Sequence, residues 1–485
     1  MPITSLQPPE FAARTVGELR ASGHELRGVK AEIADNLLAA LRAGSDPWPG
    51  IVGFESTVLP QLERALIAGH DLVLLGERGQ GKTRLLRSLV ALLDEWTPVI
   101  EGSELGEHPY APITPASRRR AAELGDELPV TWRHRAARYT EKLATPDTAV
   151  ADLIGDVDPV KVAEGRSLGD PETIHYGLVP RAHRGIVAIN ELPDLAERIQ
   201  VALLNVMEER DVQVRGYSLR LPLDLLVVAT ANPEDYTNRG RIITPLKDRF
   251  GAEVRTHYPL RLAEEVAVMR QEARPSSVPI APAEPGSESL PVTVPDFMAE
   301  VLAAFTRALR TAAEVNQRSG VSVRFSTGNL ETLAAGAVRR ALRNGERRAV
   351  ARPCDLAQVL SAGMGKVEFE TFEEGREAEI LERLLRRSLL EVFRRRTGRV
   401  DLSGLLARFD EGLSVETGDL VSGVDLLAQI DEVPGLARLL SALAVDEESP
   451  DLAAAALEFA LEGLHLSRKL DRDDLGPGAF RYRQH

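Results

Sequence analysis

Gly76-Glu-Arg-Gly-Gln-Gly-Lys-Thr83 matches the pattern G-x-x-x-x-G-K-[ST] at every fixed position. It follows an apolar run, Leu72 to Leu75, and opens a helical stretch from Thr83 to Leu93, the strand–loop–helix setting that the pattern requires. Glycines at 76, 79 and 81 allow a tight turn in which Gly76, Glu77, Arg78, Gly79, Gln80 and Gly81 aim backbone N–H groups, with a helix N-terminus, at the same phosphate oxygens. Lys82 then neutralises the β and γ phosphates of a nucleotide, and Thr83 ligates Mg²⁺. The plainer alternative is a glycine turn that happens to precede a helix; the complete motif in this context argues against it.

Four runs read as buried strands because apolar residues follow one another without alternation: Leu72 to Leu75, Val99 to Ile100, Ile186 to Ile189 and Leu225 to Thr230. Helical segments separate them, so the stretch from about Ile51 to Leu260 is expected to be α/β, a parallel sheet with helices packed on it. Hydrolysis at such a site also needs carboxylates at the end of a second apolar strand. Gly185-Ile-Val-Ala-Ile-Asn-Glu191 supplies Glu191 as the expected general base. Asn190 stands where an acidic residue is usual. Its neutral amide is expected to reach Mg²⁺ only through a bound water, and Asn190→Asp, read alone, should tighten the Mg²⁺ dependence. A third strand ends in Ala229-Thr-Ala-Asn232-Pro-Glu, where Asn232 either orients the attacking water beside Glu191 or caps the turn before Pro233.

The whole chain has 485 residues, 44% hydrophobic and 27% charged, which fits a multidomain globular protein and excludes collagen-like or disordered classes. A net charge of −14 is the wrong sign for a chain that tracks nucleic acid. A single cysteine, Cys354, excludes internal disulfides and thiolate metal clusters, and its place after Pro353 suits packing. No signal-like start and no long apolar run is evident, so a cytoplasmic setting without membrane contact is expected. From Thr15 to Arg42 the spacing of Leu19, Leu26, Val29, Ile33, Leu37 and Leu41 is helical. Six prolines between Arg274 and Pro295 mark a linker or exposed loop. Beyond it the chain reads as helical, with an ambiguous stretch at Thr397 to Gly423 and a loose tail from Asp471 to His485.

The phosphate loop, Glu191 and Asn232, in that order, resemble an AAA+ ATPase. The intervening residues resemble the magnesium chelatase subunit I and MoxR branch. Val212 to Leu221 reads as a β-hairpin of the kind inserted in that branch. Thr145-Pro-Asp-Thr-Ala-Val-Ala-Asp-Leu-Ile-Gly-Asp156, with His175-Tyr-Gly-Leu-Val-Pro-Arg-Ala-His-Arg-Gly185, is similar to the loop before the acidic motif. Leu203-Leu-Asn-Val-Met-Glu-Glu-Arg210 resembles its "LL..MEE" helix. The likeness covers about Pro49 to Leu342. It implies a P-loop AAA+ core over 49–262 after an N-terminal helical segment 1–48, a helical lid over 263–365 carrying the Pro-rich insert 274–295, and an α-helical C-terminal domain over 366–485. It further implies ATP and Mg²⁺ as cofactors, a ring oligomer, commonly a hexamer, and Ile51, Val52 and Gly53 packing on adenine. Arg249, in Leu246-Lys-Asp-Arg-Phe250, takes the position of the arginine finger that reaches a neighbour's γ-phosphate. Arg324, just before a helix expected to start near Ser326, takes that of the lid arginine. Arg239, Arg241 and Arg318 compete for these roles.

Relatives of this kind usually act on a protein with a von Willebrand A domain. No Asp-x-Ser-x-Ser metal motif occurs in this chain, so such a domain is expected on a separate polypeptide. Two rival readings differ in client: a magnesium chelatase ATPase subunit driving Mg²⁺ into a porphyrin, and a transcriptional activator remodelling RNA polymerase. The second lacks its GAFTGA-like loop. Arg118-Arg-Arg120 and Arg394-Arg-Arg396 read as solvated helix faces, and the spacing of His108, His134, His175 and His183 gives no zinc site.

Overall fold

The computed structural model describes residues 12–163, 173–208, 211–214, 217–233, 241–274, 278–279, 289–316, 320–370, 375–430, 434–446, 448–476 and 478–485. The chain divides into two compact units, Met1–His257 and Tyr258–His485.

The N-terminal unit is built on five parallel strands: β1 (Leu72–Leu75), β2 (Tyr139–Leu143), β3 (Gly185–Asn190), β4 (Leu225–Ala231) and β5 (Ala252–Arg255), in the order β5-β1-β4-β3-β2. The three inner strands are buried at every residue, which is why they read as unbroken apolar runs. Alternation then sends neighbouring side chains to opposite faces. Leu72, Leu74, Ile186, Ala188, Leu226 and Val228 join Val29, Ile33 and Leu37 of helix α1 (Val29–Ala43) and Leu62 and Leu66 of helix α2 (Val58–Ile67). On the other face Val73, Leu75, Val187, Ile189, Val227 and Ala229 pack with Ile199, Leu203 and Val206 of a later helix. The in-register pairs Leu75–Ala231 and Ala229–Ile189 bring the ends of β1, β4 and β3 side by side. A glycine is required at 185, because a Cβ there would collide with the Arg138 carbonyl.

Three expectations need correction. The helical pattern from Thr15 to Arg42 is two helices, Val16–Ala21 and α1, broken around Gly23 with φ of +74°. Leu26 and Leu41 are each 42% exposed. Val99 and Ile100 do form a strand, but it pairs antiparallel with Val130–His134, outside the five-stranded sheet. The tail beyond Asp471 is not loose but belongs to a strand pair of the second unit. The expected hairpin is present as Asp211–Val214 paired with Tyr217–Arg220; its turn lies outside the described residues.

The unit Tyr258–His485 is mainly helical around a single core. Its longest buried segment runs without interruption from Ala453 to Leu464. Strands β6 (Val415–Gly418), β7 (Leu470–Gly476) and β8 (Ala479–Gln484) form an antiparallel sheet ordered β6-β8-β7. The tail is anchored there by buried Leu470 and Tyr482 and by the Arg483–Asp473 and Arg481–Glu416 ion pairs. Cys354 is buried beside Arg352, and burial pushes its thiol up, consistent with packing. The Pro-rich insert falls largely outside the described residues.

Candidate nucleotide site

β1 ends at Leu75, and the Gly76 N–H donates to the Ala231 carbonyl at 3.2 Å, so the loop leaves the sheet beside the end of β4. Gly79 and Gly81 both have φ of +76°, a left-handed conformation that costs any other residue on the order of 1–2 kcal/mol. Gly76 has no room for a side chain: a Cβ would collide with Thr256 and Gln80. Gln80 braces the loop, its Oε1 accepting from the Glu77 N–H at 3.1 Å and from the Thr256 hydroxyl at 2.9 Å. A pocket of about 390 Å³ opens beside these residues, lined by Gly76, Glu77, Gln80, Pro233 and Thr256 among others.

Helix α3 (Lys82–Ser88) starts immediately after the loop. Lys82 Nζ donates to the carbonyls of Gly76 and Glu77, the latter at 2.8 Å, and to Asn232 Oδ1 at 2.8 Å. Asn232 is 7% exposed, and the ammonium group is the partner that makes its burial tolerable. The structure thus joins the loop lysine to the residue at the end of β4. Glu191 follows β3 with φ of +57° and ψ of +47°, strained for a side-chain-bearing residue. Its N–H donates to the Thr230 hydroxyl at 2.9 Å, which ties that turn to β4.

A family profile described as "ATPase family associated with various cellular activities (AAA)" matches residues 138–251. The chain is 28% identical over 235 residues to a magnesium-chelatase subunit ChlI from Nostoc sp., covering 47% of this chain and 58% of that one. It is 32% identical over 233 residues to a magnesium-chelatase 38 kDa subunit from Acidiphilium rubrum, covering 46% and 62%. The chain therefore spans about three fifths of the length of these curated relatives. A complex between the magnesium chelatase subunits BchI and BchD, based on a single-particle cryo-EM reconstruction, aligns at 21% identity with a TM-score of 0.35, covering 71% of this chain and 94% of that one. Residues 138–251 thus carry the match to an AAA ATPase family, and the chain is similar over about 235 residues to magnesium-chelatase subunits.

The other residues singled out by the resemblance lie in both units. The segment Ile51, Val52, Gly53 leads into buried Phe54, and a Cβ on Gly81 would lie 3.9 Å from the Phe54 ring, so this segment abuts the loop. Helix α4 (Glu197–Glu208) carries Glu208, which pairs with Arg249 at the end of helix α5 (Thr244–Arg249). Arg241 is exposed, and Arg239 and Arg318 lie outside the described residues. In the second unit, helices α6 (Leu262–Glu272), α7 (Asp296–Thr311) and α8 (Val323–Arg343) are joined by Glu265, which accepts from Arg310 at 2.7 and 3.1 Å and from the Ser326 hydroxyl at 2.9 Å. Helix α8 begins at Val323 and not near Ser326, so Arg324 is exposed in its first turn rather than ahead of it.

Asn190 is 8% exposed, and its amide nitrogen donates to Glu141 Oε1 at 2.7 Å while its oxygen faces the Thr230 hydroxyl at 3.4 Å. Glu141 also accepts from Arg87 at 2.9 and 3.1 Å and from the Tyr139 hydroxyl at 3.1 Å. The Arg87 guanidinium, hydrogen-bonded to it, holds the Glu141 carboxyl below the usual carboxylate range. Sequence reasoning missed Glu141 and Arg87. The one available signal was a carboxylate in a short polar run ahead of Thr145-Pro, which does not look like a strand.

Proposed function

We propose that this chain binds ATP with Mg²⁺ and hydrolyses it in a ring of identical subunits, using the cycle to remodel a partner protein that carries a von Willebrand A domain. The observation that carries the reading is the 2.8 Å contact between Lys82 Nζ and Asn232 Oδ1, which puts the loop's cation and a polar strand end in one place. The residues fit a triphosphate: the crowded Gly76, the left-handed Gly79 and Gly81, and Lys82 leave backbone donors and one cation on the same loop. Thr83 would hold the metal, which supplies charge neutralisation of the phosphates when bound. Glu191 would take the proton of the attacking water, and Asn232, exchanging Lys82 for that water, would orient it. Arg249 would leave Glu208 to act on a neighbouring subunit's site, and Arg324 would serve as the lid arginine.

A second reading, the ATPase subunit of a magnesium chelatase, is favoured by the names of the relatives matched, and it differs only in client. Affinity capture with the Glu191→Gln protein in ATP separates the two. Recovery of a von Willebrand A protein supports the motor; recovery of a large porphyrin-binding subunit supports the chelatase; recovery of RNA polymerase alone sinks both. The nucleotide reading itself requires that the wild type, and not Lys82→Ala, bind a fluorescent ATP analogue.

A further inference from the structure

Asn190 ends β3, and the register places it opposite Leu143 of β2, with Glu141 two residues earlier opposite Ala188. An amide nitrogen can only donate, and the acceptor it finds is the Glu141 carboxylate at 2.7 Å. Glu141 is in turn gripped by Arg87, which lies one helical turn beyond Thr83 and so on the same face of α3. From Asn190 the chain continues through the Thr230 hydroxyl to the backbone N–H of Glu191. A continuous polar path thus runs from the phosphate-loop helix across β2, β3 and β4 to the residue assigned as the base.

This arrangement explains why position 190 is neutral. A carboxylate there would face the Glu141 carboxylate at hydrogen-bond distance, and two like charges that close cannot both stay ionised. We infer that the carboxylate usual at the end of β3 has been moved one strand over, to Glu141, which acts as a positioning residue for Asn190, the residue that would meet the metal through water, and, through Thr230, for the turn at Glu191. The inference rests on the MgATP reading above. It also reverses the expectation from sequence alone, because with Glu141 in place Asn190→Asp adds repulsion rather than a useful charge.

The test is a Mg²⁺ titration of fluorescent ATP analogue binding to the full chain, preceded by a measurement in EDTA. Glu141→Gln should leave the EDTA affinity within about twofold and raise the Mg²⁺ midpoint about tenfold, the size seen when a group supporting a metal ligand is lost. Asn190→Asp should raise the midpoint too, and the double variant Asn190→Asp/Glu141→Gln, which returns one carboxylate and one amide to the pair, should restore it to within about threefold of wild type. A merely structural role for Glu141 predicts no such rescue. Superimposable Mg²⁺ curves for wild type and Glu141→Gln, or a lowered midpoint in Asn190→Asp alone, would overturn the inference while leaving nucleotide binding intact. Absence of any Lys82-dependent binding would instead remove the reading beneath it.

Discussion

Both units bury charge in closed pairs, but the strand ends of the N-terminal unit hold theirs differently. In the helical unit, Arg340–Asp355, Arg352–Glu458 and Arg310–Glu265 are closed pairs, with both side chains of each at or below 9% exposure. Arg138–Glu32 in the N-terminal unit is of the same closed kind. At the strand ends the polar groups form a path with an open end: Asn190 and Asn232 are buried, Glu141 is 21% exposed and Arg87 65%. Closed pairs fix geometry at a desolvation cost and are sealed from solvent. An open path, with Glu191 held in a left-handed turn beside it, carries strain and charge to a surface where a ligand can use them. The contrast separates architecture from chemistry without reference to motif, and it is breakable by substitution.

The largest expected effect lies on the open side. Glu191→Gln should retain ATP and lose turnover by about 10⁴-fold, the upper range for a general base. Near-normal ATPase activity would show that the strained turn serves architecture after all. Arg249→Ala should lower turnover by about 10³-fold with nucleotide affinity nearly intact. Doped into wild type it should poison mixed rings, whereas activity strictly proportional to the wild-type fraction would place Arg249 outside its neighbour's site.

A closed pair should behave differently. Glu458 accepts from the Cys354 N–H at 2.8 Å and pairs with Arg352 at 2.8 Å, both side chains 1% exposed. Glu458→Ala leaves the arginine charged and buried, and should cost about 3–5 kcal/mol. All three tryptophans, Trp48, Trp96 and Trp132, belong to the N-terminal unit, so fluorescence follows that unit while far-ultraviolet circular dichroism also carries the helical one. The helical melt should fall while the tryptophan melt and nucleotide affinity hold. A matching fall in both melts would mean that the units unfold as one.

The same contrast accounts for what was legible beforehand. β1, β3 and β4 are covered on both faces, and their composition declared them. β2, Tyr-Thr-Glu-Lys-Leu, and β5, Ala-Glu-Val-Arg, are sheet edges that keep polar residues; β2 shows neither run nor alternation, and the alternation in β5 is only four residues long. Missing β2 meant missing Glu141, and without its partner Asn190 looked like a defect. The tail β7–β8 escaped notice because charged residues, among them the cross-strand pairs Asp471–Arg483 and Asp473–Arg481, interrupt its few apolar residues and break any long apolar run. Lys82, Glu191 and Asn232 were readable because each directly follows an apolar strand or stands in a fixed motif; Thr256, which braces Gln80, has neither signal.

The smallest effect expected is on the pH dependence of the N-terminal unit. Burial, with Arg184 nearby, pushes His108 down to about 3 and His183 down to about 4. His183 also faces Glu107, which acts in the raising direction, and Arg133, which lowers; His24 stacks on His108. His183 accepts from the Asp224 N–H at 3.1 Å through Nδ1, so it is held neutral. Both folded values lie below the unfolded value of about 6.5, so the unfolded chain binds more protons in acid. Their stabilisation is complete above that value and is lost as pH falls toward 4, at about 1.4 kcal/mol per pH unit for each group. Urea unfolding followed by tryptophan fluorescence should therefore weaken between pH 6.5 and 5, and His183→Asn, which keeps an acceptor and cannot titrate, should remove about half of that slope. An unchanged slope in the variant would take His183 out of the acid sensitivity; Glu107, whose pKa burial raises but hydrogen bonds from Ser117, Thr114, Ser103 and Ile113 lower overall, cannot supply a slope in that range. Such a carboxylate loses its contribution only below about 4.5, so the two sources differ in the pH at which the slope begins.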